Sequence, residues 1–282
     1  MPNKNAIENA RDSITILIPG LNGSGLELGQ LPTFLSANGF PTLVPEIKGY
    51  LYGSQADHYE FWTSQVHALI DRAKEDKRII NLVGISMGAT LALAIASQRM
   101  DISSIALLSP VLRYDGWSTP WYRFLLDMAY KAGLRRWSYS EREPYGIKNQ
   151  DLRRRIRDKL KTQEVSEIGA SQITARHLHE AKELMSYVEN NLDSIHSRLL
   201  IMQSVEDDCC SIWSAEKILA EAKSDLRRAI WLGNSYHIIT IDNEREIVLN
   251  EVLRFLARGA GSNLGIDHYY SDLAPKILRG RT

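Results

Sequence analysis

Gly84-Ile85-Ser86-Met87-Gly88 joins an apolar run, Ile79-Ile80-Asn81-Leu82-Val83, to a run of small residues, Ala89-Thr90-Leu91-Ala92-Leu93-Ala94-Ile95-Ala96. The first run reads as a buried strand and the second as a helix, so the chain must turn sharply between them. A serine at the apex of such a turn has its neighbours packed tightly, and only glycines two residues before and after it leave room. Its hydroxyl then points clear of the sheet, above a helix N-terminus that favours developing negative charge. G-x-S-x-G alone arises by chance in roughly one chain in ten of this size. Set between a strand and a helix, it marks Ser86 as a candidate nucleophile.

Strands and helices alternate along much of the remaining chain. Ser13-Ile14-Thr15-Ile16-Leu17-Ile18 is β-branched and apolar and ends at Pro19-Gly20, which predicts a buried strand. Residues 41–45 predict a second, short strand, and further strands are expected over 78–83, 102–108, 198–203 and 226–232. Phe61, Val66, Leu69, Ile70 and Ala73 have helical spacing over 61–74. A last helix is expected over 243–257, with Asn243 and Glu246 spaced as a capping box. Such alternation predicts an α/β fold with a mainly parallel sheet flanked by helices.

The strand pattern lapses over 113–191, where Trp117, Trp121, Tyr122, Phe124, Tyr130, Trp137, Tyr139 and Tyr145 precede helical stretches at 151–161 and 171–188. This segment, with no strand evident in it, reads as a helical cap inserted into a core formed by residues 1–112 and 192–260. Residues 261–282, rich in glycine, polar and charged side chains, are expected to form a loosely packed tail.

Lys and Arg balance Asp and Glu at 34 each, so no overall field points to nucleic acid. No apolar run approaches the roughly 20 residues that span a bilayer, and the polar residues 1–12 show no secretory signal. Cys209 and Cys210 are adjacent, cannot form an ordinary structural disulfide and match no zinc spacing. A reducing, cytoplasmic setting is expected, with no metal or organic cofactor.

A serine hydroxyl becomes a useful nucleophile when a histidine takes its proton and a carboxylate orients that histidine. Of the seven histidines, His58 and His67 precede the serine, His177, His179 and His196 fall in the cap or its exit, and His268 lies in the tail. His237 follows the last strand and precedes the last helix, at the strand ends where such a sheet presents functional groups. The acid is expected after the penultimate strand, where Glu206, Asp207 and Asp208 are all candidates by spacing. Two N–H groups are needed for the oxyanion. Met87 follows the nucleophile and supplies one; Leu21, in the glycine-rich segment Pro19-Gly20-Leu21-Asn22-Gly23-Ser24-Gly25, supplies the other. That segment lacks the G-K-[ST] ending of a phosphate loop.

Taken together, these segments resemble the α/β-hydrolase superfamily, and within it the bacterial carboxylesterases and monoacylglycerol lipases. Ile18-Pro19-Gly20-Leu21-Asn22-Gly23-Ser24 is similar to that group's oxyanion loop, though Pro19 stands where a histidine usually opens it. Gly84 to Gly88 resembles the nucleophile elbow, Gln203 to Ala215 the acid loop, and Ser235-Tyr236-His237-Ile238-Ile239-Thr240-Ile241-Asp242 the histidine segment. The resemblance covers about residues 13–112 and 192–257. It implies an α/β-hydrolase fold and cleavage of carboxylic esters through an acyl-enzyme, with Ser86, Asp207 and His237 as the triad. The alternatives are a thioesterase or acyltransferase acting on CoA- or carrier-bound acyl groups, and a binding module that has kept the fold without activity.

Between Lys131 and Lys161 eleven basic residues face four acidic ones, concentrated at Arg153-Arg154-Arg155-Ile156-Arg157. Such a run is commonly a solvated helix face. The sharper expectation is that Arg153, Arg154 and Arg155 receive an anionic substrate or partner such as a phospholipid headgroup, acyl-CoA or acyl carrier protein.

Overall fold

Apolar β-branched segments bounded by turn residues form the framework. A computed structural model of the protein describes residues 12–259 except 77, 120–127, 129, 141, 163, 164, 167, 168 and 171. The expected tail at 261–282, His268 and the cap aromatics Trp121, Tyr122 and Phe124 lie outside the described residues. The chain begins with β1 (Ser13–Ile18), a 3-10 turn (Leu26–Leu28), α1 (Leu31–Ala37), β2 (Thr42–Leu43) and α2 (Tyr59–Glu75). Then come β3 (Ile79–Ile85), α3 (Met87–Ser97) and β4 (Ile102–Leu108). An excursion holds β5 (Ser138–Ser140), α4 (Gln150–Leu160), β6 (Val165–Ser166), β7 (Gly169–Ala170), β8 (Gln172–Thr174) and α5 (Ala175–Glu189). The chain returns through β9 (Arg198–Ser204), α6 (Trp213–Glu221), β10 (Arg227–Leu232) and α7 (Arg245–Gly259).

Six strands form one sheet in the order β10-β9-β4-β3-β1-β2, and every pairing in it is parallel. Alternate residues feed opposite faces, as a strand's two-residue period requires. Ile80 and Leu82 of β3, Ile105 and Leu107 of β4, and Leu199 and Ile201 of β9 pack on one face with Trp62, Val66 and Ile70 of α2 and Leu91 of α3. Val83 and Ile85, Ala106 and Leu108, and Leu200 and Met202 turn to the other face, against Leu31 and Leu35 of α1 and Val248, Val252 and Phe255 of α7. Both faces are thus covered by helices. Because all strands run the same way, the turns after β1, β3, β9 and β10 emerge along one edge, where a parallel sheet builds its sites.

The excursion departs from expectation in two ways. Two small antiparallel pairs are present, β5 with β8 and β6 with β7, where no strand was expected. Each strand has only two or three residues, too few for a period-2 pattern to show. In addition, α5 buries Ala181, Leu184, Met185 and Val188 in the same cluster as α2 and α3, so this part of the excursion is built into the core. Both expected helices are found. Asn149 Oδ1 caps α4 by accepting from Leu152 N at 2.9 Å, and Thr174 Oγ1 caps α5 through His177 N, which starts that helix four residues late.

The short helices α1 and α6 were not anticipated. The last helix begins at Arg245 rather than 243, and Asn243 Oδ1 accepts from Asn149 Nδ2 instead of closing a capping box.

Candidate active site

The turn from β3 into α3 holds Ser86 at φ 56° and ψ −125°, a backbone conformation that costs a side-chain-bearing residue about 1–3 kcal/mol. The surroundings enforce it. A Cβ on Gly84 would lie 2.3 Å from the Gly88 carbonyl oxygen, and one on Gly88 would lie 2.2 Å from the carbonyl oxygens of both Ile18 and Pro19. Ser86 N donates to Leu108 O at 2.9 Å, tying the apex to β4. The glycines are therefore fixed by backbone contacts on both sides of the turn.

Ser86 Oγ lies 2.8 Å from His237 Nε2. On the other side of the ring, His237 Nδ1 lies 2.8 Å from Asp207 Oδ2 and 3.0 Å from Oδ1. Asp207 and His237 are buried, and the carboxylate is held from all sides. Its Oδ1 accepts from the amides of Cys209 and Cys210 at 2.9 Å each, and its Oδ2 from Gln203 Nε2 at 2.8 Å. Burial opposes the charged imidazolium, but the Asp207 charge against it prevails, and the histidine's pKa is raised well above 6.5.

Spacing left three acids open, and the geometry separates them. Glu206 is half exposed and pairs with Lys148. Asp208 turns away from the imidazole; its Oδ2 accepts from Gly146 N at 3.1 Å and lies 3.5 Å from Ser118 Oγ. Burial pushes its carboxyl pKa upward, with Asp207 adding to the effect and His237 opposing it.

The histidine loop has its own supports. Ser109 Oγ donates to His237 O at 2.7 Å, and Ile238 N donates to Gly146 O at 2.9 Å. Fully buried Asp242 accepts from Tyr236 N, Lys148 N, Asn149 N and Asn243 N, joining this loop to the start of α4. Sequence reasoning gave no role to Asp242 beyond its place in the histidine segment.

Met87 opens α3, so its N–H precedes the first intrahelical acceptor. Leu21 sits between Gly20, whose N–H is held by Glu27 Oε1 at 3.1 Å, and Asn22, whose N–H is held by Tyr50 O at 2.9 Å. Leu21, Met87, Ser86 and His237 all border one cavity of about 570 Å³. Its walls include Leu112, Tyr114, Trp137, Ile173, Leu178 and Met185, with Arg113, Arg142, Lys182, Glu143 and Glu189 among the charged residues.

Arg153, Arg154 and Arg155 do not border this cavity, contrary to the expected substrate contact. Arg153 donates to the carbonyls of Ile147 and Lys148, Arg154 pairs with Asp151 at 2.7 Å, and Arg155 is exposed. The first two guanidinium groups stabilise the start of their own helix. Glu27, Gln203 and Cys210, which touch the working groups or their loops, carried no signal in spacing or periodicity.

Asp207, Cys210 and His237 bring one potential metal-ligand atom each within 4.8 Å of one another. Burial raises the Cys210 thiol pKa, which disfavours the thiolate a metal would need, and His237 Nδ1 is engaged by Asp207. The donor chemistry fits a proton relay better than a metal site.

The model of the Hydrolase_4 family, described as serine aminopeptidase, S33, matches residues 10–245. The chain is 24% identical over 254 residues to a thermostable monoacylglycerol lipase from Bacillus sp. (strain H-257), covering 87% of this chain and 91% of the relative. A carboxylesterase from Bacillus subtilis (strain 168) is 21% identical, with 88% and 93% covered. Among solved structures, the monoacylglycerol lipase of Paleococcus ferrophilus superposes with a TM-score of 0.73 at 18% identity, over 87% of this chain and 94% of the other. With the parallel sheet and the serine elbow, these matches mean that the chain belongs to the Hydrolase_4 family and is a hydrolase of the α/β-hydrolase fold.

Proposed function

We propose that the protein is a serine hydrolase of carboxylic esters, acting on acylglycerols or small acyl esters through Ser86, His237 and Asp207. The observation that carries this reading is the unbroken hydrogen-bonded chain from Ser86 Oγ to Asp207, whose serine end opens into the 570 Å³ cavity. In the first half-reaction His237 Nε2 takes the Ser86 proton as Oγ attacks the ester carbonyl. The N–H groups of Leu21 and Met87 bind the oxyanion, and Asp207 stabilises the imidazolium. His237 returns the proton to the departing alcohol. It then activates water, which cleaves the acyl-enzyme to release the acid and restore Ser86.

Residues 113–191 act in this reading as a cap over the core of 1–112 and 192–260. Trp137, Tyr139, Tyr145, Ile173 and Leu178 from that segment border the cavity beside Ser86, which suits a partly apolar acyl group. Two relatives named as a monoacylglycerol lipase and a carboxylesterase support the ester class. The residues of the Arg153 run give no support for a carrier protein or anionic lipid. Among the described residues no helix is long and apolar enough to cross a membrane.

The family description raises a peptidase reading, which would need a carboxylate for a substrate α-ammonium group. Glu143 and Glu189 border the cavity already paired with Arg157 and Arg113, and Glu27 and Asp208, which also border it, are buried and accept from the amides of Gly20 and Gly146. The test is burst kinetics with p-nitrophenyl esters of graded acyl length, run beside aminoacyl-naphthylamides. A burst and turnover on esters, lost in Ser86→Ala and His237→Ala, supports the proposal; turnover on the amides alone sinks it.

A further inference from the structure

The glycine loop after β1 is shaped around a buried carboxyl group. Glu27 sits in the 3-10 turn that follows the loop and is only 3% exposed. Its Oε1 accepts from Gly20 N at 3.1 Å, one residue before Leu21, which borders the same cavity as Ser86. The loop leaves room for that carboxyl by lacking a side chain: a Cβ on Gly23 would stand 1.8 Å from Oε1 and 2.8 Å from Cδ. Gly23 N folds back to Gly20 O at 3.1 Å, completing a tight turn around the group. Pro19, which opens the loop, has no polar side chain with which to hold it.

Glu27 is itself fixed from the opposite side. Thr240 Oγ1, three residues beyond His237, donates to the Glu27 carbonyl. Gly29, at φ 56°, lies so close to Thr240 and Ile241 that its Cβ would stand 2.7 Å from Ile241 Cγ2. Glu27 therefore links the loop carrying Leu21, through its carboxyl, to the loop carrying His237, through its backbone carbonyl.

We infer that Glu27 is the positioning residue of the oxyanion loop, holding the Pro19–Gly20 peptide so that the adjoining Leu21 N–H meets the developing oxyanion beside Ser86. This rests on the hydrolase reading above and extends it to a group that touches no reacting atom. Oε2 is buried and has no hydrogen-bond partner among the described residues. Burial raises the carboxyl pKa against the pull of the Gly20, Ser24 and Gly25 amides. Accepting the Gly20 N–H needs an oxygen at the right reach and no charge, and a neutral side chain keeps negative charge away from the oxyanion.

Reach and charge can be separated by substitution. Glu27→Gln keeps an acceptor oxygen at full length on a group that cannot ionise, Glu27→Asp keeps the carboxyl one methylene short, and Glu27→Ala removes the acceptor. The readouts are kcat and KM for p-nitrophenyl butyrate and the rate at which a p-nitrophenyl phosphonate labels Ser86, with the melting temperature of each variant. The phosphonyl oxygen occupies the same oxyanion position.

Glu27→Gln is expected to stay within about threefold of wild type. Glu27→Asp and Glu27→Ala should lose on the order of 10²-fold in both kcat and labelling rate, the scale for one lost oxyanion donor, with KM nearly unchanged. If Glu27→Ala does not fold, the Gln and Asp pair decides. Wild-type rates in folded Asp, equal losses in Gln and Asp, or a change confined to KM would overturn the inference. An enzyme that labels but cleaves no ester overturns the ester reading, and position 27 is then judged on labelling alone.

Discussion

Replacing Asp207 by Asn tests which acid orients His237, and the outcome follows from the donors around the carboxylate. An asparagine has one oxygen and one NH2 where Asp207 has two acceptors. With NH2 in the Oδ1 position it would face the amides of Cys209 and Cys210, two backbone donors that cannot turn away. With NH2 in the Oδ2 position it faces His237 Nδ1, Gln203 Nε2 and the Cys210 thiol; the thiol has Pro110 O as another acceptor, and Gln203 can flip its amide because its own Oε1 is buried without a partner among the described residues.

The second orientation wins by about 2–6 kcal/mol, the cost of two unsatisfied buried donors. It also directs an N–H at His237 Nδ1, which forces the ring proton onto Nε2, where Ser86 needs an acceptor. The productive orientation is then populated at roughly 3 × 10⁻² to 4 × 10⁻⁵, so kcat/KM for p-nitrophenyl butyrate should fall by about that factor. Asp208→Asn keeps the acceptor for Gly146 N and leaves the imidazole alone, so it should cost less than about tenfold. Melting temperatures near wild type in both variants would confine the effect to chemistry. Asp207→Asn within tenfold of wild type, or Asp208→Asn the worse of the two, would refute the reasoning.

Three further outcomes are expected. His237 must be neutral to accept a proton and its pKa is raised, so kcat/KM should decline as pH falls, with its inflection above 6.5 in wild type and lower in Asp207→Asn; a wild-type inflection below 6.5 would contradict this. Gly88→Ala places a methyl group 2.2 Å from two carbonyl oxygens and should destabilise by at least about 3 kcal/mol in urea unfolding, whereas an unchanged midpoint would show that the elbow has slack. The double variant Arg154→Ala/Arg155→Ala should leave KM for esters and for an acyl-CoA thioester at low salt within about twofold, since neither side chain borders the cavity; a tenfold rise for the thioester alone would restore the anionic-partner reading.

The sequence was most informative where a backbone constraint demanded a particular residue. Gly84 and Gly88 could be recognised because no side chain fits at either: Gly84 lies against the Gly88–Ala89 backbone and Gly88 against the end of β1. His237 could be found because a parallel sheet delivers its loops to one edge, after the last strand. Asp207 and Asp208 differ by one residue on a tight turn, and only the fold shows which faces the imidazole. The arginine run is where composition says least, because it counts charges but not their partners, and the carbonyls of Ile147 and Lys148 and the carboxylate of Asp151 occupy two of these guanidinium groups. Glu27 was invisible for the converse reason: in a polar, glycine-rich stretch nothing in the pattern marks one glutamate as buried. The two- and three-residue strands of the excursion are too short for any periodicity.

The central claim is that Ser86 carries the acyl group. Its most direct test is to label the protein with a p-nitrophenyl phosphonate and to map the adduct by peptide mass spectrometry while following esterase activity. The account predicts one adduct per chain, on the peptide holding Ser86, with activity lost in proportion to labelling and no adduct in Ser86→Ala. Full activity after complete labelling of Ser86, or an adduct on another residue that alone abolishes activity, would contradict it.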